Sequence, residues 1–376
     1  MLLIEKNNSQ LDDLLQRIGY KLQISKTQRE LAEGRYNAVA KWLTKDDALF
    51  QENDIDVYSQ GSLRIGTTVK PLKQQEYDLD IVFEINDRWH EKNPLDLLDS
   101  IEDRLRDNDV YKSMVERKNR CIRLNYANEF HMDILPAHPT DSSNSTCIKV
   151  PDRKVEDWKD SNPKGYANWF DARSHQYYTL LEKSANIDPL PEDESIERKP
   201  PLKRAVQLMK RFRDVYFEQN SEEAPISIVL TTLAGQCYRG QASVAEALSS
   251  ILQDIIELIP QDGSRLVVLN PSNLHEDLSE RWIENKKLYQ SFVTFIKDFN
   301  AHWSHLLNLH GIHKISEELK KMFGENIITE SLKEQTDFYE QLRNQKRLSV
   351  VGSTGLLTVA ATSKSIPLRE NTFYGD

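Results

Sequence analysis

Apolar residues recur at helical spacing from the start of the chain: Leu11, Leu14, Leu15, Ile18 and Leu22, then Leu31, Val39, Trp42 and Leu43 beyond Ser25 and Thr27. Positions three and four apart share one helix face, so the stripe predicts a long amphipathic helix broken once, at hydroxyl residues suited to cap its second half. From Ile55 the period falls to two. Ile55 and Val57 alternate with polar residues, and Tyr77, Leu79, Ile81, Phe83 and Ile85 do so more clearly, which predicts two strands. Ile122, Leu124 and Tyr126 meet Met132 and Ile134 across the polar break Ala127-Asn128-Glu129 and read as a hairpin. Strands are thus expected between about residues 55 and 136.

Residues 139–165 are rich in Ser, Asn, Asp and Pro and read as connecting segments, and the charged, proline-punctuated run from Asp188 to Pro201 reads as a linker. Beyond it Leu202, Ala205, Val206, Met209, Phe212 and Tyr216 form a helical stripe that begins after Pro200-Pro201, where proline suits a first helical turn. Val244, Leu248, Ile251, Leu252 and Ile255, then Trp282, Leu288, Phe292, Phe295, Ile296 and Phe299, predict further helices. The expectation is an α+β protein of two lobes, 1–195 mixed and 196–376 helical.

Composition narrows the class. With 376 residues, 39% hydrophobic and 29% charged, the chain can bury substantial cores and is not globally disordered. No repeat of about 20 to 50 residues appears, which argues against a solenoid. The net charge of −10 argues against a surface built to neutralise long nucleic acid, so an anionic ligand must find a local basic pocket. Cys121, Cys147 and Cys237 are widely spaced and form no CxxC pair, so neither a disulfide framework nor a cysteine zinc site is readable and a reducing cytoplasm fits best. The start MLLIEKNN is too poor in apolar residues for a signal peptide, and the longest uncharged stretches are polar-interrupted, so no membrane is expected.

The candidate chemistry lies in carboxylates. Asp78 and Asp80 are two apart on one strand, so both side chains leave the same face. Asp133 sits between Met132 and Ile134 on the return strand of the hairpin, and three acids on adjacent strands can converge. Clustered carboxylates repel and take up protons unless a cation compensates, and hard oxygen donors favour Mg²⁺ or Mn²⁺ over zinc. A short loop upstream, Gly61-Ser62 follows a strand and can open a helix whose backbone N–H groups receive phosphate oxygens. Gly61 and Gly66 have P-loop spacing, but Thr67-Thr68 stand where Lys-Ser/Thr should be, so this is not a Walker A motif.

Taken in order, GlySer, a spacer, TyrAspLeuAsp and PheHisMetAspIleLeuPro resemble the DNA polymerase β-like nucleotidyltransferase superfamily. GlnGlySer at Gln60, the run Asn162–Phe170, the helix Leu202–Asp214 and ProIleSerIleValLeu from Pro225 narrow the likeness to the bacterial cGAS/DncV-like nucleotidyltransferases (CD-NTases), relatives of oligoadenylate synthases. The likeness runs from about Val57 to Ala234. It implies a polymerase β-like lobe with a mixed central sheet and a helical C-terminal lobe joined by a long N-terminal helix. Asp78, Asp80 and Asp133 would hold two Mg²⁺ ions, with Mn²⁺ as an alternative, and an acceptor ribose hydroxyl would attack the α-phosphorus of a donor NTP with loss of pyrophosphate.

The resemblance further implies that Gln60, Gly61 and Ser62 bind nucleotide, that Lys210 touches the triphosphate tail with Ser227 as its hydroxyl partner, and that Lys203 is a weaker contact. The basic run from Arg198 to Arg213 would otherwise read as a solvated face. Gln60, Asn162 and Tyr166 suit loop hydrogen bonds as well as a base, and none is assigned to one. The implied product is a cyclic di- or trinucleotide messenger of bacterial anti-phage (CBASS) signalling, made from NTPs with ATP among them, with accessory proteins of such a system as partners. The rivals are transfer to an RNA, protein or small-molecule acceptor, and a non-catalytic nucleotide-binding module. His302, His305, His310 and His313 interleave with Trp303, Leu306, Leu307 and Leu309 and read as helix-edge histidines rather than a zinc site, and the tail from Ser365 as a mobile end or partner segment.

Overall fold

The structure is a computed structural model that describes residues 4–45, 54–72, 77–127, 130–140, 146–175, 199–351, 356–358 and 365–367. Asn128 and Glu129 of the expected hairpin turn, Asp188–Arg198 of the expected linker and the tail beyond 367 lie outside those residues. Helices α1 (Ile4–Lys21) and α2 (Lys26–Leu43) open the chain. They part at Ser25, whose hydroxyl accepts from Gln28 N at 3.2 Å while Gln28 Oε1 accepts from Ser25 N at 2.9 Å. That reciprocal cap satisfies two backbone donors and contributes about 1 kcal/mol, which is why the apolar stripe resumes at that point.

Strand β1 (Ile55–Ser59), the single turn α3 (Gly61–Arg64) and strand β2 (Tyr77–Ile85) follow, then α4 (Pro94–Arg106), β3 (Val115–Arg117), β4 (Ile122–Tyr126), β5 (Phe130–Pro139), β6 (Ile148–Asp152) and β7 (Asp157–Ser161). The sheet order is β1-β2-β5-β4-β3, with β6 on the far end of β5 and β7 on β6. All pairs are antiparallel except β2 with β5, which run parallel and put Asp80 directly beside Asp133. One face of the sheet buries Leu79, Ile81, Phe83, Met132 and Ile134 against Ala32, Tyr36 and Val39 of α2 and Leu98 and Ile101 of α4. Alternation then forces Asp78, Asp80 and Glu84 to the opposite face. Strands β6 and β7, within the stretch expected to connect, were not legible, because β7 carries one apolar residue in five and owes its order to pairing with β6.

Helix α5 (Pro163–Ser174) leads to the helical half: α6 (Pro201–Tyr216), α7 (Ser227–Cys237), α8 (Val244–Leu258), a hairpin of β8 (Leu269–Asn270) and β9 (Asn273–Asp277), α9 (Arg281–Glu284), α10 (Lys286–Asn308), α11 (Ile312–Phe323) and α12 (Glu325–Asn344). Three short strands, β10 (Ser349–Val351), β11 (Leu356–Thr358) and β12 (Ser365–Pro367), form a separate small sheet. The second apolar core crosses the chain position 195: Leu14, Leu15, Ile18 and Leu22 of α1 and Tyr166, Ala167 and Phe170 of α5 pack with α6, α7, α8 and α10. By packing, α1 and α5 therefore belong with the helical half, while α2 belongs with the sheet. His302 pairs with Glu318 of α11 at 2.7 Å. Among the described residues no helix is long and apolar enough to cross a membrane.

Candidate active site

The turn after β1 sets the site. Ser59 pairs with Ile81 and Gln60 N donates to Asp80 O at 2.8 Å, so the chain leaves the sheet beside Asp80. Gly61 then adopts φ +63°, a left-handed conformation that costs glycine little. It also packs directly on the Asp80 carboxylate, leaving no room for a Cβ. The expected glycine-serine turn and two of the three expected carboxylates thus meet, and Gln60, Gly61, Ser62, Asp78 and Asp80 line one cavity of about 620 Å³.

The carboxylate face has a partner that the sequence reading missed. Arg123, on β4 opposite Asp133, donates to Asp133 through Nε at 2.6 Å and Nη2 at 2.7 Å, and the same Nη2 reaches Asp78 at 3.3 Å. Its guanidinium bridges two of the three acids. The one available signal was positional: Arg123 holds the out-facing slot of the alternation Ile122, Leu124, Tyr126, on the strand expected to pair with Asp133. Desolvation raises the Asp80 pKa to about 7, with Asp78 and Asp133 pushing the same way against Arg123 and Lys210. Asp78 is raised too, by desolvation first and by Asp133, with Arg123 opposing.

These are residues that fit a divalent cation. Three hard oxygen donors on adjacent strands carry more negative charge than one guanidinium offsets, and Asp80 responds by moving toward protonation. Among the described residues no three His, Cys, Asp or Glu side chains converge around one point as they stand, since Arg123 lies between Asp78 and Asp133.

The basic helix α6 does not present a solvated face. Lys203, Arg204, Lys210 and Arg211 are all buried. Gln207 Nε2 donates to Thr68 O at 2.9 Å, Lys210 Nζ to Thr67 Oγ1 at 2.9 Å and Thr67 O at 3.2 Å, and Lys199 Nζ, just before the helix, to Gly66 O at 2.9 Å. The helix thereby grips the loop that continues the glycine turn. Burial lowers the Lys210 pKa to about 7, with Arg213 adding to the fall.

The contacts of three further residues are local to the cavity and its neighbouring helices. The Ser227 hydroxyl accepts from Arg213 Nη1 at 2.6 Å, and Lys210 Nζ meets the hydroxyl of Thr67. Ser227 and Lys210 both line the cavity. Lys203, seven residues from Lys210, faces α5 instead and pairs with Asp171 at 3.1 Å. Asn162 caps α5, accepting from Gly165 N at 2.9 Å, and donates to Ser272 O at 2.9 Å, so it is a loop-fixing residue. Strands β7 and β9 supply a further part of the wall, including Asp160 and Glu276, which the sequence reading did not single out.

The chain matches, over residues 6–173, the domain family described as Second Messenger Oligonucleotide or Dinucleotide Synthetase, SMODS. A c-di-GMP synthase from Roseivirga ehrenbergii is 37% identical over 383 residues, covering 100% of both chains. The cyclic dinucleotide synthase CdnG of Bradyrhizobium diazoefficiens is 26% identical over 351 residues, 86% of this chain and 82% of its own. The structure of the Bradyrhizobium diazoefficiens CD-NTase CdnG in complex with GTP matches with a TM-score of 0.71 at 25% identity, covering 87% of this chain and 98% of that one.

Proposed function

The chain belongs to the bacterial CD-NTase family of nucleotidyltransferases that make cyclic oligonucleotides, and from that premise we propose that it joins two molecules of GTP into cyclic di-GMP, releasing two pyrophosphates. The observation that carries the site is the convergence of Gly61, Asp80 and Asp133: a backbone turn packed on one carboxylate that stands in register with another. The choice of dinucleotide and of guanine follows the full-length likeness to the Roseivirga synthase. Family membership favours this chemistry over transfer to an RNA, protein or small-molecule acceptor, and over a non-catalytic module.

Asp78, Asp80 and Asp133 would hold the divalent cations, proposed as two Mg²⁺, whose chemistry when bound is to neutralise the triphosphate and lower the pKa of the acceptor hydroxyl. The chain's own residues do the positioning. Gly61 lets the loop backbone lie against Asp80, so that a phosphate received at Gly61-Ser62 meets the carboxylate face. Lys210, held by Thr67 at the cavity wall, adds a cationic donor for the triphosphate tail. Arg123 fixes the Asp133 carboxylate through two parallel bonds, keeping that acid aligned with Asp80. A cytoplasmic setting and accessory proteins of an anti-phage system are proposed with it.

The test is incubation of the full chain with Mg²⁺ and labelled NTPs, each alone and in mixture, followed by mass spectrometry of the phosphatase-resistant product. GTP alone is expected to yield a product of the mass of cyclic di-GMP. A product requiring ATP, a product of three nucleotides, or transfer only to an added acceptor would overturn this reading.

A further inference from the structure

We propose that Glu276 selects guanine, its carboxylate accepting hydrogen bonds from N1–H and from the exocyclic amino group of a GTP bound in the cavity. This rests on GTP being the substrate.

The wall of the cavity away from the catalytic strands is unexpectedly acidic for a site that takes polyanions: Asp160, Glu276, Asp277 and Glu280 all line it. Three of them are already neutralised. Asp160 pairs with Lys149 at 2.9 Å, Asp277 with Arg265 at 2.6 Å, and Glu280 with Arg120 at 2.8 Å. Glu276 differs, for the side chain that hydrogen-bonds it is an amide rather than a cation: Asn270 Nδ2 donates to its Oε2 at 2.8 Å, and Arg120 acts on it through charge alone.

That amide is not free to turn. Asn270 is buried, and its Oδ1 accepts from both the backbone N of Ser272 at 2.9 Å and the Ser272 hydroxyl at 2.8 Å. With the oxygen committed, the NH₂ must face Glu276, and the carboxylate is held from one side with acceptor capacity to spare. The β8–β9 hairpin therefore builds a fixed acceptor in the wall of a nucleotide-sized cavity.

Among nucleobase edges, guanine matches a carboxylate best. Its N1–H and amino group are adjacent donors, and an ionised carboxylate takes two such donors at once. Adenine would place the lone pair of N1 against the carboxylate and offer only one donor, so the same group that attracts guanine rejects adenine. Desolvation in the cavity presses Glu276 toward protonation, against the pull of Asn270 and of the Arg120 charge, so its charged form gains from a pair of donors.

The experiment compares wild type with Glu276→Ala and the near-isosteric Glu276→Gln, in the full chain, by kcat/KM for GTP, ITP and ATP and by calorimetric binding of GTP. ITP lacks the exocyclic amino group. Wild type is expected to favour GTP over ITP by about tenfold, and both variants to lose roughly 10- to 100-fold on GTP, less on ITP, which still offers N1–H, and little on ATP, so that the preference collapses. Glu276→Gln keeps an oxygen for Asn270 and guards against a variant that merely fails to fold. Equal losses on all three nucleotides, which a ribose contact or a structural role would give, overturn the assignment, as does an unchanged preference for GTP. A wild type that prefers ATP instead overturns the substrate reading itself, whatever the variants do.

Discussion

A side chain at Gly61 would run into the carboxylate of Asp80: an added Cβ falls 3.0 Å from its Cγ and nearer still to Oδ2. Since the same residue sits at φ +63°, both space and backbone require glycine. Gly61→Ala is expected to cost about 1–2 kcal/mol of stability through the positive φ and to displace either the loop or Asp80. Product formation should fall at least tenfold in a protein that still melts cooperatively. A variant with wild-type turnover would mean that the turn and the carboxylate do not act together.

Asp80 should weaken the metal-free fold at neutral pH. Its pKa in the folded chain, about 7, stands above the ordinary value of 3.8. The folded state therefore disfavours the ionised form, so stability is lost as pH rises from about 4 through 7 and the loss is complete above it. Asp80→Asn removes this loss. We expect the variant, without metal, to melt about 2–5 °C above wild type at pH 8, to show a smaller difference at pH 5, and to make no product. Mn²⁺ should raise the melting temperature of wild type more at pH 8 than at pH 6, and should raise that of the variant less. Melting of the variant below wild type at pH 8 contradicts the electrostatic account.

Arg123 compensates the acids where a cation would otherwise be needed, so Arg123→Met is expected to leave Asp133 and Asp78 without their shared guanidinium. The metal-free protein should lose about 1–3 kcal/mol, in the range for removing charge-assisted bonds between partly buried groups. Stabilisation by Mn²⁺ should then exceed that of wild type, because the ion takes over a larger share of the compensation. Calorimetric melts with and without Mn²⁺ decide this, and equal metal shifts in both proteins would assign Arg123 a purely structural part.

How much of this was legible in the sequence depended on whether a residue's environment repeats with the chain's own period. Tyr77–Ile85 reads as a strand because alternation is imposed by a core on one face only, and the same alternation aims Asp78 and Asp80 together. Ser25 announces the break between α1 and α2 because its cap partner, Gln28, is local. What escaped was settled by distant chain. Strand β7, Asp157–Ser161, has Trp158 as its one apolar residue and exists through its ladder with β6. The destinations of Lys203 and Ser227 depend on α5 and on Arg213, which helical spacing alone does not reveal. Glu276 and Asn270 lie in a two-strand hairpin with no periodic apolar signal at all.

The two lysines of α6 offer a paired prediction, since the helix turns them to different tasks. Lys210 reaches the cavity with Thr67 as its partner, so replacing it by methionine keeps the buried methylene stem, forgoes two hydrogen bonds and removes the one ammonium that α6 contributes to the cavity wall. Lys210→Met should raise KM for the nucleotide by roughly 10- to 100-fold, the loss of a charge-assisted bond to phosphate, with little change in melting temperature. Lys203 instead faces Asp171 and is itself buried, so Lys203→Met should cost about 1–3 kcal/mol of stability and leave KM where it was. Steady-state kinetics and melting curves on both variants test the division. A rise in KM for Lys203→Met as large as for Lys210→Met would return the two residues to one phosphate-binding row and refute the assignment made from their contacts.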